Sequence, residues 1–284
     1  MTDDFDADTR RMMRAIEQNW DARTPIHVAS EFYGVDSRDP DFWFADFEWD
    51  DIGDVNGLDV LHLQCHLGTE TAAFARRGAR AVGLDLSGEA IAQARDLARR
   101  KDLPIEYVHA NVFEAVDALK GRRFDVVYTG KGALVYLPDL DRWARVVADL
   151  LRPGGRLYVV EFHPLLASLG LVPQPDEGDV LTLRNDYLSG RGPTEINSRY
   201  TYTDGPQLDH AHTSYEWPHG LGELVNALIG VGLQVTSLRE SEVAPWPRWP
   251  RMLPTDRGWF RLPEREPMVP LLYALRAAAP TAAF

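Results

Sequence analysis

The sequence holds one cysteine, Cys65, among 284 residues, so neither an internal disulfide nor a cysteine-ligated zinc cluster is available to staple the fold. Stability has to come from a packed core, and a hydrophobic content of 45% is enough to build one. Long apolar runs are missing too: no stretch approaches the length that crosses a bilayer. The first residues, MTDDFDADTR, have neither the basic n-region nor the apolar h-region of a secretory signal, and the expected compartment is the cytoplasm. Positive charge is scarce. The 30 Lys and Arg stand against 43 Asp and Glu, a net charge of −13, and residues 1–60 alone carry sixteen acidic and five basic side chains. A surface of that sign repels phosphate backbones and argues against DNA or RNA as a partner. The acidic segment reads either as a solvated arm that aids solubility or as a surface that draws in a cationic substrate.

Glycine is scarce at one turn where its absence matters. A dinucleotide fingerprint needs G-x-G-x-x-G between a first strand and its helix, so that the backbone can approach a pyrophosphate. Here the turn reads Gln64-Cys65-His66-Leu67-Gly68, with a single glycine, which disfavours NAD and FAD. No G-x-x-x-x-G-K-[ST] phosphate loop occurs either.

What is present is alternation. Segments 58–64, 79–85, 105–110, 124–130 and 155–162 are short, apolar and rich in Val, Leu and Tyr, and read as buried strands. Between them Ser87 can cap a helix bearing Ile91, Ala94, Leu97 and Ala98. Asp139 can cap another bearing Trp143, Val146, Val147, Leu150 and Leu151, which the RPGG of Arg152 to Gly155 stops. This pattern predicts an α/β fold, a Rossmann-like doubly wound sheet with right-handed crossovers. Ligands then bind beyond the carboxyl ends of the strands. After residue 162 the alternation breaks. An aromatic-rich β insertion is expected at about 163–218, with Pro164, Pro173 and Pro175 early and two strands, 196–205 and 210–217, around a turn at Asp204–Pro206. A helix at 220–232 and strands at 233–240 and 268–277 follow. At the end of the second strand stands Asp85, where a carboxylate can accept both hydroxyls of a ribose.

The successive motifs VLHLQCHLGTET, VGLDLS, HANVFEA and FDVVYTGKGALVYLPDLDRWARVVADLLRPGGRLYVVE resemble those of the class I S-adenosylmethionine-dependent methyltransferases, with a divergent first motif, HLQCHLG. The likeness covers about residues 55–162, and 219–276 resembles the family's end. It implies a seven-stranded sheet, mostly parallel with an antiparallel last strand, in a domain at 55–284 preceded by an acidic helical or lid segment at 1–54. It also implies S-adenosylmethionine as cofactor. Carried over by position, Gln64, Cys65 and Gly68 form the turn under the methionine portion, and Asp85 binds the ribose hydroxyls. Leu86 covers the adenine, with Asn111 and Val112 at its edge. Thr129 and Gly130 line the methionine carboxylate and sulfonium. The family usually carries an acidic residue where His62 stands and glycines where Gln64 and His66 stand.

The acceptor side is less defined, since methyl transfer needs a base only when the acceptor must lose a proton. His163, at the mouth of the fifth strand in EFHP, is the candidate general base, beside Glu161. His27 and Tyr33 precede the first strand, where the family's segments often fold over the cofactor, and Tyr33 is assigned to the cofactor. Tyr200 and Tyr215 of the insertion join His27, Glu161 and His163 as acceptor-binding candidates, covering a small molecule with aromatic side chains. His210 and His212 alternate on a strand without a convergent third ligand, so no metal is expected. The leading expectation is methylation of a small-molecule O or N. A non-catalytic adenosylmethionine or nucleoside sensor and a protein methyltransferase stand as alternatives.

Overall fold

The computed structural model describes residues 4–171 and 180–281; Pro173 and Pro175 lie outside the described residues. Eleven strands are described: β1 Asp59–Leu63, β2 Arg80–Asp85, β3 Glu106–His109, β4 Phe124–Thr129, β5 Leu151–Phe162, β6 Thr194–Asn197, β7 Thr213–Glu216, β8 Gln234–Ser241, β9 Leu253–Pro254, β10 Phe260–Arg261 and β11 Leu272–Ala278. The helices are α1 Ala7–Ala29, α2 Glu48–Ile52, α3 Thr69–Arg76, α4 Gly88–Arg100, α5 Ala115–Ala118, α6 Leu140–Leu150, α7 Pro164–Leu169 and α8 Leu221–Gly230. Seven strands make one sheet in the order β3-β2-β1-β4-β5-β11-β8. The first five are parallel, and β11 runs antiparallel to both neighbours, as expected.

Both faces of the central strands β1, β2, β4 and β11 are buried, which is why these are largely apolar rather than alternating, whereas the edge strands β3 and β8 are partly exposed and more polar. Leu61 and Leu63, Val127, and Leu157 and Val159 point to one side, into a core shared with Trp143, Val147, Leu224 and Leu228. Val60, Val126, Tyr128, Tyr158 and Val160 point to the other, against Phe44, Ile52 and Phe74. Ser87 and Asp139 cap α4 and α6 as the sequence indicates, accepting from the Ala90 and Arg142 N–H groups. The RPGG stop behaves differently: α6 ends at Leu150, and Leu151 already pairs with Phe124. Arg152 to Gly155 then bulge out before Arg156 rejoins Val126. A Cβ on Gly155 would press on the Arg152 and Phe124 carbonyls, and the bulge carries Arg152 to Asp59 at 2.5 Å and Asp125 at 2.6 Å. One guanidinium thus ties the entry ends of β1 and β4.

The strand order reverses between β1 and β4, so the crevice for a ligand lies beyond Leu63 and Thr129. Two chain segments reach that crevice. The N-terminal segment is docked on the domain: Asp39 pairs with Arg76, Asp41 with Arg77, and Asp51 with Arg239. Asp21 of α1 accepts from the Ser87 hydroxyl at 2.6 Å, seating α1 on the start of α4. The insertion forms two short strands, β6 and β7, joined Asn197 to Thr213, in place of the longer pair expected. Residues 198–212 between them are a loop, held partly by its own hydrogen bonds, such as Leu208 N–H to the Arg199 carbonyl, and partly by α1 and the residues after it. Asn19 donates to the Ala211 carbonyl at 2.6 Å, and Asp204 accepts from the Glu31 and Phe32 N–H groups at 2.9 and 3.1 Å.

Candidate functional site

The turn after β1 takes a glycine-type course without the glycines. Gln64 and His66 both sit in the left-handed region, at φ 56° and 48°. That conformation costs a non-glycine residue roughly 1–2 kcal/mol, so neighbouring bonds must hold it. They do: the His66 N–H donates to Asp85 Oδ2 at 2.8 Å, the Cys65 N–H to the Leu84 carbonyl at 3.0 Å, and Gln64 Nε2 to the Ala133 carbonyl at 2.8 Å. Gly68 is irreplaceable for a second reason. Its φ is +73°, and a Cβ would collide with the Tyr107 hydroxyl. Cys65 turns its sulfur away from the crevice into a core with Ile91, Ala94 and Tyr107, so only its backbone faces the turn's concave side.

Asp85 closes β2 with its carboxylate buried. Oδ1 accepts from Ser87 N–H and Oδ2 from His66 N–H, both at 2.8 Å. Burial pushes its pKa up to about 6, against the pull of those two donors. A carboxylate has about four acceptor positions, of which these donors fill two. Leu86 beside it is half-buried, with its carbonyl held by His109 Nε2 at 2.9 Å. Asn111 spends its side-chain oxygen on the Phe113 N–H, and Val112 is in the core. At the end of β4, Thr129 is fully buried, and Gly130 follows, where a Cβ would lie 3.4–3.5 Å from His62, Tyr128 and Glu70. Gln64 Oε1, His66 Nδ1 and Thr129 Oγ1 are shielded from solvent and have no hydrogen-bonding partner among the described residues. Buried polar atoms are normally paired; three orphans at the ends of β1 and β4 mark this crevice as a place for a polar ligand.

Above the turn lies a cluster of rings. His27 and His66 lie end to end with centroids 5.1 Å apart, Tyr33 packs against both at 5.2 Å, Trp20 meets His66 edge-on at 5.0 Å, and Tyr136 meets Trp20 at 5.4 Å. Tyr202 packs on His27 at 4.9 Å, and its hydroxyl bonds that of Tyr33. His27 Nδ1 lies 2.9 Å from His66 Nε2, and His27 Nε2 lies 2.6 Å from Thr201 Oγ1. Burial pushes His27 down to about 2 and His66 to about 4, so both rings are neutral at neutral pH. His62 beneath them is likewise lowered by burial, to about 3, and bonds Thr71 Oγ1 at 2.9 Å.

The structure thus brings together Tyr33, Gln64, Gly68, Asp85, Leu86, Thr129, Gly130 and His27. Glu161, His163, Tyr200 and Tyr215 fall elsewhere. The Glu161 carboxylate accepts from the N–H groups of Gly132, Ala133, Leu134 and Phe162 at 2.6–2.8 Å and is fully engaged in shaping the loop after β4. His163 caps α7: Nδ1 accepts from the Leu165 N–H at 3.0 Å, which puts the proton on Nε2, donated to Glu240 at 2.8 Å. Neither nitrogen is left to act as a base. The expected result of His163→Ala is therefore a lower melting temperature through the lost cap, about 1 kcal/mol in size, measured by calorimetry; an unchanged melting temperature would count against this role. Tyr200 is exposed with its hydroxyl on Gln207, and Tyr215 spans its hairpin to Glu195 at 3.1 Å. Tyr202 is one of the insertion's aromatic residues, whereas Trp20 and Tyr136 enter the cluster without an expectation from the sequence. For Trp20 a signal existed: it lies seven residues, about two helical turns, before His27, on the same face of α1.

Residues 60–155 match the family model described as "Methyltransferase domain". Among curated proteins, the ubiquinone biosynthesis O-methyltransferase of Chelativorans sp. (strain BNC1) is 33% identical over 115 residues, 40% of this chain and 44% of that protein. The enzyme of the same name from Aeromonas salmonicida (strain A449) is 31% identical over 156 residues, 50% of this chain and 63% of that one. The chain thus spans about half the length of these curated relatives. An S-adenosylmethionine-dependent methyltransferase structure from Clostridium acetobutylicum ATCC 824 shares the fold, with a TM-score of 0.58 at 14% identity over 89% of this chain and 97% of that one.

Proposed function

We infer, from the class I methyltransferase domain that residues 60–155 carry, that this protein transfers a methyl group from S-adenosylmethionine to oxygen or nitrogen of a small-molecule acceptor. The observation that carries the reading is Asp85, a buried carboxylate at the end of β2 that accepts from only two N–H groups, beside the unpaired Gln64 Oε1 and Thr129 Oγ1 among the described residues. That donor and acceptor set fits a nucleoside joined to a zwitterion: Asp85 for the ribose hydroxyls, Leu86, Asn111 and Val112 around the adenine, and Gln64, Gly68, Thr129 and Gly130 around the methionine portion. Cys65 contributes through its backbone alone. Tyr33 covers the site from the N-terminal segment. The cofactor supplies an electrophilic methyl on a sulfonium sulfur.

The chain's own part is to orient the acceptor and keep out water. Trp20, His27, Tyr33, Tyr136 and Tyr202 wall the crevice on the side away from the sheet, and an enclosed aromatic wall suits a small molecule better than a polypeptide. The net charge of −13 argues against a nucleic-acid acceptor. Among the described residues no helix is long and apolar enough to cross a membrane, and the cytoplasm is the proposed compartment.

Calorimetry with S-adenosylhomocysteine, followed by a metabolite-extract screen with methyl-labelled S-adenosylmethionine, tests the reading. No heat and no labelled product would overturn it. A pH series adds a second check. Ribose hydroxyls donate more strongly to ionised Asp85, whose free value is about 6, so affinity is expected to rise from about pH 5 to about pH 7 and level off above. A flat profile across that range would take Asp85 ionisation out of binding.

A further inference from the structure

We propose that His66, on the turn after β1, is the general base that takes the proton from the acceptor, oriented by a hydrogen-bonded chain through His27 to Thr201. The proposal rests on the methyltransferase reading above and assigns the acceptor-side chemistry that His163 does not supply.

Three observations converge on His66. Its backbone is held in a left-handed conformation, φ 48°, that a glycine would adopt without strain, so a side chain is kept there at an energetic cost. Its Nε2 lies 2.9 Å from His27 Nδ1, and His27 Nε2 lies 2.6 Å from Thr201 Oγ1. Its Nδ1 is shielded from water and unpartnered among the described residues. A consistent direction runs through the chain: His27 Nε2–H donates to Thr201, His27 Nδ1 accepts from His66 Nε2–H, and His66 Nδ1 is left with a bare lone pair. The ring's orientation is fixed as well, by the in-line hydrogen bond to His27, by packing against Tyr33 and by the edge of Trp20.

The groups facing this pair set its charge state. Glu70 of α3 favours protonation of His66, His62 of β1 opposes it, and Arg23 of α1 opposes protonation of His27. Burial outweighs Glu70, so the ring is neutral at working pH and able to accept a proton, although burial also makes it a weaker base than a solvated imidazole. In the transfer, the acceptor's O–H or N–H proton moves to His66 Nδ1 and its lone pair forms the bond to the methyl carbon. The pair of the breaking carbon–sulfur bond stays on sulfur. The imidazolium that results is stabilised by the Nε2–H bond to His27 and by the Glu70 charge. His66 touches the acceptor; His27 and Thr201 are positioning residues.

The test starts with ¹⁵N-histidine NMR of the protein bound to S-adenosylhomocysteine at about pH 7.5. The expected result is a His66 ring protonated at Nε2 and bare at Nδ1; protonation at Nδ1 overturns the proposal. Turnover is read with catechol, which must lose a proton, and with 4-nitrocatechol, already ionised at about pH 8. His66→Gly is expected to bind S-adenosylhomocysteine as well as the parent, to methylate catechol about 10²–10⁴-fold more slowly, and to recover part of that rate with added imidazole. Its rate on 4-nitrocatechol should fall far less. His27→Phe, which keeps a ring in the cluster, should lower kcat on catechol with little change in KM. Undiminished catechol turnover in His66→Gly overturns the proposal, as does an equal loss on both probes. Absence of S-adenosylhomocysteine binding to the parent protein would instead sink the methyltransferase reading. If neither catechol is accepted, the tautomer of His66 decides.

Discussion

Glu161→Ala is expected to remove about 4 kcal/mol or more of folding stability, enough to unfold much of the population of a domain whose whole margin is about 5–15 kcal/mol. The buried carboxylate receives four backbone N–H groups, three of them consecutive, from Gly132, Ala133 and Leu134. Each buried donor left without a partner costs about 1–3 kcal/mol, and alanine offers no acceptor. Water entering the vacated space will satisfy some of them, which sets the expectation near the lower part of the range. Glu161→Gln keeps one accepting oxygen but turns an N–H₂ toward the other donors, and should fall between. Urea denaturation followed by circular dichroism measures both. A loss under about 1 kcal/mol for the alanine variant would mean that the loop after β4 holds its shape by other contacts. Since Gln64 reaches across to the Ala133 carbonyl, loosening this loop also releases the turn after β1.

The second large effect concerns ligand binding. Asp85→Ala should weaken S-adenosylhomocysteine and S-adenosylmethionine by about 10²–10⁴-fold, because two hydroxyl bonds to a charged acceptor are each worth about 1.5–3 kcal/mol. The same change strips the acceptor from the His66 and Ser87 N–H groups. Stability should respond in a pH-dependent way. The folded-state pKa of Asp85 is raised from 3.8 to about 6, so its contribution to stability is present below the unfolded value and is lost as pH rises through about 6. The alanine variant lacks that dependence, and its deficit against the parent should be larger at about pH 5 than at about pH 8. Calorimetric titration measures the affinity, and urea melts at the two pH values measure the deficit. An affinity within about threefold of the parent would show that the ribose is held by another group.

Residues 58–162 were legible in the sequence for a local reason. Strands buried on both faces leave unbroken apolar runs, and Ser87 and Asp139 act within a few residues of themselves, so these caps show without knowledge of the fold. The ends of those strands then locate the crevice, and Asp85 with it. The missing glycines at Gln64 and His66 show in the sequence only as a departure; the structure keeps the left-handed backbone there and adds side chains.

The ring cluster above the turn is assembled by contacts across the chain. Thr201 is 174 positions from His27, and His27 is 39 from His66, so no periodicity links them. Glu161 and His163 sit at the mouth of the site by sequence position, yet one turns to the loop after β4 and the other to Leu165 and Glu240, because buried donors there needed acceptors. Sequence by itself determined the alternating strands and helices of 58–162 and the place of the turn and of Asp85, since local periodicity and capping chemistry suffice for those, while the seven-stranded order was legible only through the family resemblance. Tertiary structure alone decided which histidine keeps a free nitrogen, since that depends on which polar groups the packing of α1 and the insertion bring within hydrogen-bonding distance.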